Sequence, residues 1–284
     1  MSTPDQKRSE ERGHWWPWLL ALTIVIQTGF VVVALRTVYT VEQQTETLRS
    51  LDSELFQLRS VVDSNAVKKN ELGSMIESTI LSMAAAREAE TQAALYAQWP
   101  LADDDTSGRR IYGNVGARFT IVEYTDLECP FCKKFHETPK RIVEGAKGNV
   151  NWQLKHLPLD FHNPAAKQQA VAAECVREQK GNKGFWVFMN EVFRHSKGNG
   201  QGVSNLLKLT QDVGANVEQI KSCMQSGRAI QIVENDLRRA NELNLRSTPS
   251  SFVVDNQSGI SIPLNGAQPY EAVVAIIRRL AARG

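Results

Sequence analysis

Two cysteines separated by two residues, in the run Cys129-Pro130-Phe131-Cys132, are the side chains whose type and spacing carry the clearest chemistry in this chain. Thiols at that spacing can close a small ring on oxidation and reopen it by exchange with another thiol. The reactive form is the thiolate, so whatever stabilises a charged sulfur matters first. Directly ahead of the pair, Phe119 to Thr125 is a nearly continuous apolar and β-branched run broken by one acid, Glu123, as in a strand buried on both faces. The pair then stands at a strand-to-helix junction, with Cys129 at the helix N-terminus and Pro130 in the first turn, where a missing N–H is no loss. Free backbone N–H groups and the positive end of the helix dipole favour a thiolate at Cys129, while Cys132, one turn inside, would be buried. Two other uses of such a pair are a structural disulfide and a zinc site. Zinc normally takes four ligands, and this chain has no second C-x-x-C and only His136 close by, which argues against a metal.

The elements that must position the pair follow from periodicity and turn chemistry. The helix carrying Cys132 should end near Gly145, and Val150 to Leu157 alternates as a second strand beside the first. A turn at Asp160 to Pro164, with Asn163 as N-cap, opens a region at 165–227 that reads as several short helices with glycine-rich joints such as 197–202. A longer helix, Ala229 to Leu243, leads to Thr248-Pro249 and a strand at Ser251 to Asp255. Its hairpin partner is Ile260 to Leu264, with Pro263 marking an edge, and a last helix places Val273, Ile276, Ile277 and Leu280 on one face.

The 284 residues carry a net charge of +2, with no basic stripe and no nucleic-acid motif, so nucleic-acid binding is set aside. Residues 15–38, WWPWLLALTIVIQTGFVVVALRTV, are long and apolar enough for a single membrane span, flanked by Trp15, Trp16 and Trp18 on one side and Tyr39 on the other. Lys7, Arg8 and Arg12 ahead of the span place a tail at 1–14 in the cytoplasm and the bulk of the chain outside. No small-x-small cleavage site follows, which favours a retained anchor over a cleaved signal peptide. From 39 to 99 the chain reads as a helical stalk. Val41, Leu48, Leu55 and Val62 repeat every seven residues, with Gln44, Leu51, Leu58 and Asn65 three later, which suits either a coiled coil of two or three chains or a single amphipathic helix. Pro100 ends the stalk, and 100–117 reads as a polar linker.

From Gly113 onward, the order of strand, C-P-x-C, helical stretch and Thr-Pro loop before a strand resembles the DsbA-like branch of the thioredoxin superfamily. The resemblance implies an α/β thioredoxin-like domain at 118–284 with a helical insertion at about 163–227. It implies an enzyme that forms, isomerises or reduces disulfides in other proteins without a cofactor. Cys129 would attack, Cys132 would resolve the mixed disulfide, and Glu123 would take up the Cys132 proton. Pro130, Phe131, Thr248 and Pro249 would meet the substrate backbone, and Cys175 and Cys223 would form a second disulfide. An acid in so apolar a strand should hold its proton to unusually high pH, although pairing with Lys155 is a second reading of Glu123. The most oxidising members carry histidine where this chain has Phe131, so a smaller depression of the Cys129 pKa and a less oxidising pair are expected here. His136 is expected to be partly exposed on its helix, and His156 to end a strand.

The implied partners are reduced or misoxidised proteins and a membrane redox protein, either DsbB-like for an oxidase or DsbD-like for an isomerase or reductase. The direction stays open between these. The implied location is the bacterial inner membrane, with the catalytic domain in the periplasm. The alternative is a tethered chaperone or assembly module whose thiols are structural.

Overall fold

The run Phe119–Thr125 forms β2, the middle strand of a five-stranded sheet of order β1-β3-β2-β4-β5. The structure, a computed structural model, describes residues 16–63, 69–103 and 108–283; within these, the side chains of 16–30, 61–63, 69 and 70 are not described. Almost every residue of β2 is buried, because strands lie on both of its edges and helices cover the sheet. On one edge it pairs in parallel with β3 (Val150–His156), and on the other antiparallel with β4 (Ser250–Asp255). The two-residue strand β1 (Ile111–Tyr112) adds to β3, and β5 (Ser261–Asn265) closes the hairpin with β4. A parallel neighbour needs a crossover, and here α3 (Pro130–Phe135) and α4 (Glu137–Gly145) supply it. The sequence leads to one helix over this stretch. Pro139 has no N–H for the Phe135 carbonyl, and the helix divides at His136.

The insertion is a series of helices. It opens with α5 (Ala165–His195), two helical segments that meet at a kink at Gly181, whose φ of 69° and ψ of −172° lie outside helical geometry. Two short helices follow, α6 (Leu206–Asp212) and α7 (Val217–Gln225), each begun by an asparagine whose side chain caps a backbone N–H. Then α8 (Arg228–Glu242) packs on α5 and β3, and α9 (Tyr270–Ala281) packs on α4 and β4. The largest fully buried side chains are Trp99, Trp152, Trp186 and Tyr112.

The chain divides into two compact units, 1–82 and 83–284. In the first, α1 (Trp16–Asp63) is helical throughout, and α2 (Lys69–Ala97) begins there. Most of the apolar stretch at 15–38 lies outside the described side chains, and among the described residues no helix is long and apolar enough to cross a membrane. The heptad positions Val62 and Asn65 also lie outside them; Leu48 and Leu55 are exposed.

The second unit begins before the place the sequence suggests. The linker read at 100–117 contains β1 and the buried residues Ala102 and Arg110, and the end of α2 is part of the same core. Trp99 is 1% exposed, stacked on Trp186 with ring centroids 5.5 Å apart and set edge-on to Tyr112 at 5.1 Å. Tyr96 donates its hydroxyl proton to the Val213 carbonyl at 3.0 Å, joining α2 to the insertion. Replacing Trp99 by alanine removes a filled part of the core. The expected loss is about 3–5 kcal/mol of unfolding free energy, read by denaturant titration, whereas a free linker residue would cost almost nothing.

Candidate active site

The end of β2 delivers the chain directly into the thiol pair. Cys129 caps α3 with extended backbone (φ −82°, ψ 120°), its N–H held by the Asp126 carbonyl at 3.1 Å and its own carbonyl accepting from the Lys133 N–H at 3.1 Å. Both thiols are free, Cys132 with no exposed surface and Cys129 with 6%. The Thr248 carbonyl lies 3.4 Å from the Cys129 sulfur, close enough to accept from the thiol, so the loop before β4 faces the pair; the Thr248–Pro249 peptide is cis.

The two sulfurs are driven apart in acidity. Cys129 is lowered to about 5, chiefly by the Cys132 thiol, against the opposing effect of burial, with help from Thr248 and the N–H groups of Cys132 and Phe131. Cys132 is pushed well above the ordinary thiol range, first by burial and then by the negative charge that Cys129 takes on. Since α3 is only six residues long, the N–H groups beside the sulfur matter more than a long helix dipole. The Phe131 side chain points to solvent, 65% exposed, and residue 131 reaches the sulfur only through its backbone.

Glu123 sits within β2 between Leu154 of β3 and Ser251 of β4. It is 1% exposed, and burial raises its pKa to about 8, with Thr125 and Trp152 opposing and the Cys129 charge adding to the rise. Lys155 is not its partner: that ammonium pairs with Asp236 at 3.1 Å. One oxygen of Glu123, Oε2, has no hydrogen-bond partner among the described residues. The carboxyl also raises Cys132, so Cys129, Cys132 and Glu123 behave as one electrostatic cluster.

Neither nearby histidine is as exposed as its polarity suggests. His136 is buried among Trp99, Trp152 and Phe193, at 5.5, 5.1 and 4.9 Å between ring centroids, and burial followed by the Lys140 charge lowers it to about 3. It is therefore neutral at ordinary pH and adds no positive charge near the pair. His156 bonds Glu174 at 2.9 Å, within a buried network in which Arg110 bridges Glu174 and Asp236. Cys175 and Cys223 form a disulfide that ties α5 to α7.

Two residues around the pair escape a reading by motif. Asp126 accepts from the N–H groups of Glu128 at 2.7 Å and Leu159 at 2.9 Å and bonds the His162 ring at 2.7 Å, while its own N–H points at the Cys132 sulfur at 3.5 Å. Glu128, with no exposed surface, accepts from the Ser196 hydroxyl and, at 2.8 Å, from the Gly202 N–H. The available signal was two acids, Asp126 and Glu128, placed in a loop between a buried strand and a buried thiol, where an acid must find partners.

A thioredoxin-like sheet presenting a low-pKa thiol over a buried thiol and a buried acid defines a thiol–disulfide oxidoreductase. A family model described as thioredoxin matches residues 105–279, more than half of the chain, and the chain belongs to that family. Among solved structures, DsbA2 of Pseudomonas aeruginosa is 32% identical, with 61% of this chain and 94% of that one covered at a TM-score of 0.55. BdbD from Bacillus subtilis, in its oxidised form, is 22% identical, with 63% and 95% covered at 0.53, and shows the shared fold. Among curated proteins, the Na(+)/H(+) antiporter NhaA 1 of Mycolicibacterium gilvum is 26% identical over 151 residues, which is 52% of this chain and 24% of that protein. The chain thus spans about a quarter of the length of the curated relatives it matches. The protein is an enzyme of the thiol–disulfide oxidoreductase class.

The raised pKa of Glu123 has a signed effect on stability. Between its ordinary value near 4.5 and about 8, the folded chain holds this proton and the unfolded chain does not, so stability falls as pH rises through that window. Glu123→Gln removes the penalty. Its unfolding free energy should exceed that of the parent by roughly 2–4 kcal/mol at pH 8 and by little at pH 4.5. Denaturant titrations at the two values check this, and parallel pH profiles for parent and variant would contradict it.

Proposed function

We propose that this protein is an extracytoplasmic disulfide donor acting through Cys129 and Cys132, with Glu123 as the proton relay. The observation that carries the reading is the opposed acidity of the two sulfurs over one buried carboxyl. A substrate thiolate attacks Cys129 in the closed Cys129–Cys132 disulfide, and Cys132 leaves with the electron pair. Glu123, protonated at neutral pH, supplies the proton that Cys132 needs and recovers one from water. A second substrate thiolate then attacks the substrate sulfur bound to Cys129 and expels Cys129 as a thiolate. Two electrons pass to the pair, one proton stays on Cys132, and the other goes to water. Pro130, Phe131 and the Thr248-Pro249 loop receive the substrate chain around Cys129.

Direction follows thiolate stability. A reduced form held by a stable Cys129 thiolate makes its disulfide readier to accept electrons, which favours donation and a quinone-linked DsbB-like protein to reset the pair. A DsbD-like partner would serve an isomerase or reductase. The 15–38 segment anchors the chain in the bacterial inner membrane with residues 1–14 in the cytoplasm and the catalytic unit in the periplasm. Val31, Val32, Val33, Leu35 and Val38 are each more than half exposed, as residues covered by lipid would be. Exposed Leu48 and Leu55 suit a stalk that joins copies of the chain.

Equilibration of the 129–132 pair with glutathione should give a reduction potential above about −200 mV, and Cys132→Ala should accumulate mixed disulfides with substrate through Cys129. A potential well below that value reverses the direction, and a Cys129→Ser, Cys132→Ala pair with full activity would overturn the reading.

A further inference from the structure

Beside Cys129, on the side formed by the end of α5, lies a small cleft of about 60 Å³. Cys129, Pro130 and Lys133 line one wall, and Phe193, Lys197 and Gly198 line the other. The cleft is small and open to solvent, with room for a group the size of a carboxylate or an amide.

The second wall is built to stay in place. Glu128 spends both carboxylate oxygens on it, through Ser196 and the Gly202 N–H, and its carbonyl accepts from the Asn199 N–H at 2.7 Å. Gly198 takes a φ of 73°, and a Cβ there would lie 3.4 Å from the Glu128 carbonyl oxygen and 3.7 Å from the Pro130 ring. The loop therefore lies in ordinary packing contact with the thiol helix, and it is the positive φ that favours glycine at 198. The negative charge of Glu128 is fully engaged and has no exposed surface. Lys133 and Lys197 are exposed, and neither has an acidic partner among the described residues. The rim thus carries two unengaged cations over a pocket of carboxylate size, next to the sulfur that meets substrate.

We infer that this cleft selects substrate cysteines flanked by an acidic residue, whose carboxylate enters between Lys133 and Lys197 while the substrate sulfur meets Cys129. The inference rests on the exchange reaction proposed above and adds no chemical step to it. The lysines offset the repulsion that a substrate carboxylate would otherwise feel from the Cys129 thiolate as it forms.

The test uses the oxidised full chain and dithiol peptides that differ only in Glu or Gln beside the first cysteine, with the rate of peptide oxidation as readout. At low ionic strength the Glu peptide should react about fivefold faster than the Gln peptide, and the preference should shrink as salt rises. In a Lys133→Gln, Lys197→Gln variant the ratio of the two rates should fall to near one. In Lys133→Glu, Lys197→Glu a peptide with Lys at that place should become the better substrate. An unchanged ratio in the variants, or equal rates in the parent, would overturn the selection. No exchange with either peptide would instead overturn the exchange reading, and the selection with it.

Discussion

The structure depends on holding a negative sulfur at a buried junction. Cys129 has little contact with water, and burial works against its charge. What wins is a set of short-range donors, the Cys132 thiol first and then the backbone N–H groups that open α3. The surroundings of the sulfur come from several parts of the chain. The end of β2 delivers the sulfur, the break at Pro139 leaves α3 as a short independent turn, and the loop before β4 brings Thr248 across from a position 119 residues away. The sheet order makes this meeting obligatory, since β4 is the direct antiparallel neighbour of β2.

The same burial that opposes one charge prepares two protons. Cys132 and Glu123 lie in the low-dielectric interior behind Cys129, and both hold their protons to higher pH than they would in water. A leaving sulfur therefore has a proton within its own cluster. His136 could have complicated this balance with a positive charge, but its aromatic enclosure keeps it neutral. The enclosure in turn requires Trp99, so the residues just after α2 contribute to the surroundings of the thiol helix.

Much of this was legible in the residues. The apolar run of β2 announces a buried strand, and the burial of Glu123 follows from it. The C-P-x-C run sits where a strand gives way to a helix, and Pro263 marks the edge strand it occupies. The rest required contacts that no local pattern encodes. Trp99 follows a weakly amphipathic helix and stands next to a proline, so it reads as the end of a stalk, yet its ring finds partners at Tyr112 and Trp186. Asp126 and Glu128 read as ordinary loop acids because their partners, His162, Ser196 and Gly202, lie 36, 68 and 74 residues on. His136 looked exposed because polarity is a poor guide when the surrounding surface is aromatic. Within α5, Gly181 is a joint in fact, since its backbone leaves helical geometry and two segments meet there at a kink.

The most direct measurement is the pH titration of the Cys129 thiolate in the reduced protein, followed by its ultraviolet absorbance with Cys132→Ala as a reference for the contribution of the second thiol. A midpoint near 5 in the parent, moving upward in Cys132→Ala, is the expected result. A midpoint at the ordinary thiol value of about 8.5 in both proteins would contradict the central claim that this fold is arranged to hold a charged sulfur.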